Sequence, residues 1–263
     1  MQFEKLNNIT LHYQVIGAPE GKPVIVFSNS LGTDFRIWRD VIVQLIGEFS
    51  IVTYDKRGHG LSDSPPAPYK IDDHVADLAA LLDYLKVKDA IICGLSVGGL
   101  IAQGLTLARP DLVKALVLCD TAHKIGDTEL WNGRIKAVNE IGIPAISELI
   151  LSRWFSKEFR SAQVATFAGY RHMLERTSPE GYMGTSAAIR DADFTEQAPN
   201  IKVPSLCIVG SEDGATPPAL VEELSRLIPG AGYEIIQGSG HLPCVEKPDA
   251  LFDLMQPFLK KLG

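Results

Sequence analysis

The sequence lacks the long apolar segments that a membrane protein requires. No apolar run approaches the ~18 residues of a transmembrane span. The N-terminal segment, MQFEKLNNITLHYQV, alternates polar and apolar residues and carries charged side chains early, unlike the basic and then apolar plan of a signal peptide. We therefore expect no membrane anchor and predict a cytoplasmic protein.

Cysteine is scarce, and the few cysteines show no motif spacing. Three of the four lie inside apolar, strand-like runs, AIICG, ALVLCD and SLCIVG; the full set is Cys93, Cys119, Cys207 and Cys244. Such positions are typical of buried reduced thiols rather than of disulfides or metal ligands.

Clusters of positive charge are also absent. The 25 lysines and arginines are scattered among 32 acidic residues, for a net charge of −7. This distribution argues against nucleic acid and anionic membranes as partners and leaves a small molecule. No ligand-spaced His, Cys and Asp cluster and no phosphate-binding glycine loop occurs, so we expect neither a metal nor an organic cofactor. No oligomeric state is predicted.

Short apolar, β-branched runs recur with amphipathic stretches between them. The runs are KPVIVFSNS, SIVTYD, DAIICGLS, KALVLCDT, VPSLCIVGS and GYEIIQGS. Helical periodicity appears in RIWRDVIVQLIGEF, KIDDHVADLAALLDYLKV, SVGGLIAQGLTLARP and KPDALFDLMQPFLKKL. FEKLNN and TLHYQVIG read as an antiparallel opening pair joined near Asn7 and Asn8. The alternation predicts an α/β fold with a mostly parallel central sheet and helices on both faces.

A long segment without strand runs separates Cys119 from Pro204. It carries helical patterns in TELWNGRIKAVNEI, PAISELILSRWF and SKEFRSAQVATFAGYRHML. A connection of this length exceeds a simple crossover and predicts an inserted subdomain. We therefore expect a core over 1–121 and 197–263, with a helical cap over 122–196.

The segment Gly94-Leu95-Ser96-Val97-Gly98 matches the G-x-S-x-G pattern directly after an apolar run and directly before a helical one. A serine at such a tight turn is held in a strained backbone conformation, and the flanking glycines let neighbouring backbone pass without a clashing Cβ. The hydroxyl is thereby raised above the sheet. Ser96 is thus the candidate nucleophile, and the Val97 N–H at the helix start is a candidate oxyanion donor.

A serine needs a base within hydrogen-bond reach and a carboxylate that holds this base in the right tautomer. Asp213 lies in the loop SEDGATPP after one predicted strand, and His241 lies in the loop SGHLPCVEKP after the next. The other five histidines lack this place and order: His12, His59, His74, His123 and His172. We predict Ser96, His241 and Asp213 as nucleophile, base and orienting acid.

Two other carboxylates compete for the role of the acid. Glu212 adjoins Asp213 on the same loop, and spacing alone does not rank adjacent side chains. Asp120 directly follows another predicted strand. Both remain alternatives at this level.

Two further loops bear polar groups. The loop Asn29-Ser30-Leu31-Gly32 after VIVFSNS should supply the second oxyanion donor, with the Leu31 N–H as candidate. In YDKRGHGLSDS, Asp55 and Arg57 are expected to pair and fix that loop rather than to act in catalysis.

These segments together resemble the α/β-hydrolase family over the whole chain, from SNSLGTD through DKRGHGLSD, GLSVGG and GSEDGATPP to GSGHLPCVEKP. Within it, SNSLGTDFRIW, DTAHKIGDTELWNGRI and GATPP are similar to the 3-oxoadipate enol-lactonases of bacterial aromatic degradation. General members carry His-Gly where this chain has Asn29-Ser30. The departure changes the polar groups near the site but leaves the backbone role of Leu31 intact.

The resemblance implies a serine hydrolase acting on a small anionic enol-lactone. The substrate carboxylate calls for a cation, and the cap segment offers Arg134, Arg153, Arg160, Arg171, Arg176 and Arg190. We select Arg134 because Trp131 precedes it by three positions, which places indole and guanidinium on one helix face. A carboxylesterase or a carbon–carbon bond hydrolase with the same triad is the alternative. A ligand-binding receptor on this fold is a further alternative. The presence of all three triad residues argues against it, because a decayed site is expected of a protein that only binds.

Overall fold

The computed structural model describes residues 1–17 and 21–262. Eight strands form one sheet; they are β1 (Gln2–Leu6), β2 (Ile9–Ile16), β3 (Val24–Ser28), β4 (Ser50–Tyr54), β5 (Ala90–Leu95), β6 (Val113–Cys119), β7 (Ser205–Gly210) and β8 (Gly232–Ile236). The six predicted apolar runs coincide with the strands β3 to β8, except that β6 begins one residue before its run, at Val113. The predicted opening pair corresponds to β1 and β2.

The sheet has the order β1-β2-β4-β3-β5-β6-β7-β8. β2 pairs antiparallel with β1 and β4, and the pairs from β4 through β8 are parallel. The turn between β1 and β2 is made by Asn7 and Asn8, both with positive φ, at 47° and 66°. Asparagine tolerates this conformation better than most residues, which suits a two-residue hairpin turn.

Ten α-helices follow in the described part of the chain. They are α1 (Arg39–Leu45), α2 (Ile71–Tyr84), α3 (Val97–Ala108), α4 (Thr128–Trp154), α5 (Lys157–Ala162), α6 (Val164–Glu175), α7 (Pro179–Asp191), α8 (Pro218–Leu227), α9 (Pro243–Glu246) and α10 (Pro248–Lys260). α1 is shorter than its pattern predicts because a 3₁₀ turn, Phe35–Trp38, precedes it. None of these helices is long and apolar enough to cross a membrane.

Both faces of the sheet are covered. Every residue of β4, β5 and β7 is buried, and successive side chains of a strand point to opposite faces. Complete burial therefore requires packing on both sides, as in parallel α/β sheets.

The four cysteines are buried and free, as the sequence predicts for reduced thiols. The predicted fold class is likewise confirmed.

Four helices, α4 to α7, lie between β6 and β7. α4 is bent where Gly142 adopts φ 79° and ψ 164°, two residues before Pro144. The kink turns the two halves of α4 into separate helical arms. The structure also divides the single pattern SKEFRSAQVATFAGYRHML into α5 and α6. The boundaries of the cap domain, 122–196, stay a prediction.

The strand order brings two particular loops together. The chain runs from β3 to β4 on one side and returns to β5 on the other side of β3. Ligands of open α/β sheets bind where the strand order reverses, beyond the carboxyl ends of the strands. The loop after β3 and the turn after β5 therefore meet at this point, and they carry Leu31 and Ser96.

Candidate active site

Ser96 occupies the sharp turn between β5 and α3. Its backbone has φ 57° and ψ −119°, a conformation that costs a non-glycine residue energy and persists only when the surroundings enforce it. Two hydrogen bonds hold the turn: the Ser96 N–H donates to the Cys119 carbonyl at 3.1 Å, and the Thr121 hydroxyl donates to the Ser96 carbonyl at 2.6 Å. The serine is thus fixed at the end of the central strand.

The flanking glycines are required by close backbone contacts. A Cβ on Gly94 would lie 2.3 Å from the Gly98 carbonyl oxygen, and a Cβ on Gly98 would lie 2.1 Å from the Ser28 carbonyl oxygen. These are backbone atoms of strands and helix, which cannot move aside cheaply. The pattern therefore reflects packing of α3 against β3 and β5.

We expect Gly98→Ala to destabilise the fold by about 3 kcal/mol, because overpacking against fixed backbone is costly. Gly133→Ala on α4 is the matched control, since a Cβ there meets nothing within 4 Å, and helix propensity favours alanine. Thermal unfolding of the two variants measures the difference. Equal unfolding midpoints would contradict the packing explanation.

His241 and Asp213 are in direct contact. The His241 Nδ1 lies 2.8 Å from Asp213 Oδ2, and the His241 N–H donates to the Trp154 carbonyl at 2.7 Å. Both side chains are buried. With Nδ1 directed at the carboxylate, Nε2 is the nitrogen left to act on a neighbouring hydroxyl.

Asp213 is held by donors on its own loop. Its Oδ1 accepts N–H groups from Ala215 at 2.7 Å and Thr216 at 3.0 Å, and the Thr216 hydroxyl donates to Oδ2 at 2.6 Å. Although burial alone would raise the pKa of Asp213, the charge of His241 and these hydrogen bonds hold it below the ordinary value. A carboxylate facing His241 is thereby maintained.

Ser96 and His241 line a common cavity with the predicted residues of the cap segment. The cavity encloses about 50 Å³, and its walls include Leu31, Trp131 and Arg134. The Arg134 guanidinium carbon lies 5.2 Å from the centre of the Trp131 ring, as the three-residue spacing predicts. The structure thus brings five of the seven predicted site residues to one cavity, with Asp213 behind His241 and Val97 at the start of α3.

A larger groove of about 450 Å³ adjoins this cavity. The two volumes share four lining residues from the two arms of α4: Leu130, Arg134, Ile150 and Arg153. The bend at Gly142 sets these pairs opposite each other. The groove and the cavity that contains Ser96 therefore meet at these four residues.

Comparison with known proteins agrees with this geometry. The model of the alpha/beta hydrolase family matches residues 25–254. This chain belongs to the alpha/beta hydrolase family. A crystal structure of the enol-lactonase from Burkholderia xenovorans LB400 superimposes with a TM-score of 0.96 at 36% identity, covering 98% of this chain and 100% of that one.

Two curated relatives come from Acinetobacter baylyi. 3-oxoadipate enol-lactonase 2 is 33% identical over 256 residues, which are 97% of this hydrolase and 95% of the relative. 3-oxoadipate enol-lactonase 1 is 33% identical over 253 residues, covering 96% and 94%. The resemblance noted from the motifs is therefore confirmed along nearly the whole chain.

The competing acids of the hydrolase lie in different surroundings. Glu212 is exposed, whereas Asp120 is fully buried and accepts the Gly210 N–H at 2.9 Å through Oδ1. Burial, and then the charge of Asp213, raise the pKa of Asp120 well above its ordinary value. Both effects disfavour ionisation of Asp120 beside the pair of Asp213 and His241.

Asp120, Asp213 and His241 each bring one potential metal-ligand atom within 4.8 Å of the others. The hydrogen bonds use most of these atoms, since Asp213 accepts from its own loop and from His241. Among the described residues, Oδ2 of Asp120 lacks a hydrogen-bond partner. The arrangement suits proton transfer through an imidazole better than coordination of a cation.

The prediction that Asp55 pairs with Arg57 is wrong. Arg57 instead donates from Nε and Nη2 to Asp77 of α2 at 2.6 and 2.7 Å, and Asp55 lies 2.7 Å from His12 Nδ1 of β2. A guanidinium group pairs best with a carboxylate that lies in its plane and accepts two of its N–H groups. Asp77 of α2, which lies outside the loop, provides this carboxylate. The loop is fixed, but by partners distant in the sequence.

Sequence reasoning missed several residues of this site. Thr216 could have been suspected, because hydroxyl side chains near an aspartate in a turn often hydrogen-bond to it. Tyr182, whose hydroxyl lies 3.5 Å from Arg134 Nη1, gave no local signal. It comes from α7, a helix that the patterns did not specify.

Proposed function

We propose that this hydrolase opens a small anionic enol-lactone, 3-oxoadipate enol-lactone, to the free acid by a serine mechanism. The observation that carries the proposal is the shared cavity, in which Ser96 and His241 face the cation of Arg134. The names of the relatives support a lactone as the ester. Aromatic catabolism is the corresponding role.

Ser96 supplies the nucleophile in this mechanism. Its hydroxyl attacks the lactone carbonyl while Nε2 of His241 accepts the proton, and Asp213 stabilises the imidazolium that forms. The N–H groups of Leu31 and Val97 stabilise the oxyanion of the tetrahedral intermediate. Val97 suits this role because the first N–H groups of a helix have no intrahelical acceptor.

Collapse of the intermediate breaks the bond between the acyl carbon and the ring oxygen. His241 returns its proton to the departing enolate oxygen, so the ring opens and the chain stays attached to Ser96 as an ester. Water activated by the same histidine then attacks this ester. The product acid leaves, and the serine regains its proton.

Recognition of the substrate carboxylate requires a cation outside the triad, because the chemistry at the carbonyl does not depend on that charge. Arg134 contacts the Trp131 ring and the Tyr182 hydroxyl. In the described residues, no carboxylate comes within 4.0 Å of its guanidinium, in contrast to the paired Arg171 and Arg190. Arg134 is therefore available to bind an anion, with the indole as an apolar wall.

We expect Arg134→Ala to lower kcat/KM for the carboxylated lactone by about 100-fold, or about 2.7 kcal/mol, and to change turnover of a neutral ester only a few-fold. Lys136→Ala is the matched control, since Lys136 is an exposed cation on the same helix, 3.9 Å from Glu140. Equal losses of Arg134→Ala on both substrates would mean that Arg134 supports the structure. Arg153 on the opposite arm would then be tested in the same way.

Hydrolysis of three substrates tests the proposed function: a carboxylated enol-lactone, p-nitrophenyl acetate and a dienoic diketone. We expect kcat/KM for the lactone to exceed the other values by more than about tenfold, which is about 1.4 kcal/mol of discrimination. Preference for the acetate would indicate a simple carboxylesterase, and preference for the diketone a carbon–carbon bond hydrolase. Binding without turnover of any of the three would indicate a receptor.

A further inference from the structure

Lys56 is a buried lysine two residues after the end of β4, and it contacts the loop that follows β3. The residue is only 1% exposed. The Nζ donates to the Ser30 carbonyl at 2.5 Å and lies 3.4 Å from the Thr33 carbonyl. Lysine is almost never buried to this extent without a specific partner, because removing the ammonium ion from water is costly. Its main partner here is a backbone carbonyl.

The contact matters because of what the Ser30 carbonyl is joined to. The carbonyl of Ser30 and the N–H of Leu31 belong to one peptide group, which is planar and trans, so the two point in opposite directions. Ser30 and Leu31 both line the cavity with Ser96. A cation that binds the oxygen from the protein interior therefore directs the N–H towards the cavity.

We propose that Lys56 is a positioning residue for the transition state: its ammonium group orients and polarises the Ser30–Leu31 peptide so that the Leu31 N–H stabilises the oxyanion. A charge-assisted hydrogen bond to the carbonyl draws electron density from the peptide and strengthens the N–H as a donor. The effect is largest when charge develops on the substrate oxygen. This inference rests on the proposed serine mechanism.

The loop has other supports that hold its shape without Lys56. The Thr33 hydroxyl donates to the same Ser30 carbonyl at 2.8 Å, and the Gly32 N–H donates to Nε2 of His59 at 2.9 Å. The Asn29 amide also donates to the Thr33 carbonyl. What Lys56 adds is therefore chiefly a positive charge behind one peptide, and its loss should affect the transition state more than the fold.

Burial lowers the pKa of Lys56 to about 7, against the opposing charges of Asp55 and Asp34. A basic group is mostly protonated when the pH is below its pKa, so the ammonium form of Lys56 predominates at about pH 6. Assays of the variants are therefore best compared with wild type at about pH 6.

The test uses three substitutions in the full chain. Lys56→Met removes the charge at similar length, and Thr33→Val removes the neutral hydroxyl donor to the same carbonyl. Lys114→Met is the matched control, because Lys114 also donates from Nζ to a backbone carbonyl, that of Leu262, but at the start of β6, the end of the sheet opposite Ser96. Each variant is measured for kcat, KM, thermal unfolding and affinity for phenylboronic acid, which forms a tetrahedral adduct with an active serine.

We expect Lys56→Met to lower kcat by roughly 10- to 100-fold and the affinity for phenylboronic acid by a similar factor, with KM within about twofold. These factors are smaller than the 10²- to 10³-fold effect of removing an oxyanion donor, because Lys56 acts through the donor. Thr33→Val should lower kcat by less than about fivefold, and Lys114→Met should have the same kcat as wild type. The split between kcat and KM distinguishes positioning from mere structural support.

A folded Lys56→Met variant with kcat within twofold of wild type would overturn the inference, as would an unchanged affinity for phenylboronic acid. Should Lys56→Met not fold, Lys56→Gln retains a neutral donor, and full activity of Lys56→Gln would equally overturn it. Absence of Ser96-dependent hydrolysis in wild type is a separate outcome. It would overturn the proposed function itself, and the inference with it.

Discussion

Ser96→Ala and His241→Ala are each expected to lower kcat by roughly 10⁴-fold or more. The reason is that proton removal and nucleophilic attack are one event, so either residue is ineffective without the other. Steady-state kinetics on the lactone measures the loss. The residual rate should come from the oxyanion donors and from substrate binding, which neither substitution removes.

The effects of the two substitutions should not add. We expect the double variant to be about as slow as either single variant, because the first substitution already disables the unit. Thermal unfolding of Ser96→Ala should stay close to wild type, since truncating Ser96, a small side chain at the cavity wall, leaves no large core cavity. A double variant slower than both by a further large factor would show that the two residues act independently.

Asp213→Asn is expected to lower kcat by on the order of 10³- to 10⁴-fold. Asparagine can present its amide to Nδ1 of His241, and this would favour the wrong tautomer of the imidazole. Glu212→Gln is the matched control on the adjacent position, because Glu212 is exposed while Asp213 is buried. Glu212→Gln should lower kcat only slightly. The reverse ranking of the two variants would transfer the orienting role to Glu212.

Asp120→Asn completes this comparison. Asp120 is fully buried, and an amide can replace it with nearly the same shape and still accept the Gly210 N–H. We therefore expect a loss of less than about tenfold, well below the effect on a residue that orients the base. If Asp120→Asn had a much lower kcat while Asp213→Asn stayed active, the role of the orienting acid would belong to Asp120.

The parts of the site that the sequence predicts are those with a local cause. Ser96 follows from a glycine-flanked turn between a strand and a helix, and the close approach of Gly94 to Gly98 is local in the chain. Likewise, the pairing of Trp131 with Arg134 follows from the geometry of a single helix turn. Such features need no knowledge of the fold beyond the element on which they lie.

The parts that sequence reasoning missed depend on partners distant in the chain. Arg57 pairs with Asp77 of α2 rather than with Asp55, and only the docking of α2 decides this. Lys56 is surrounded by the loop after β3, although its place in a polar motif suggests a solvated side chain. The bend of α4 at Gly142, which places Arg153 opposite Arg134, depends on how both arms pack.

Reaction with a fluorophosphonate probe, followed by peptide mass spectrometry, tests the central claim most directly. Only an activated serine attacks such a phosphorus centre rapidly, so we predict a single phosphonyl group on the peptide that contains Ser96. Labelling should be absent in Ser96→Ala and slowed by the carboxylated lactone, which competes for the same cavity. Rapid labelling of another residue, or full labelling that persists in Ser96→Ala, would contradict the assignment of Ser96 as the nucleophile.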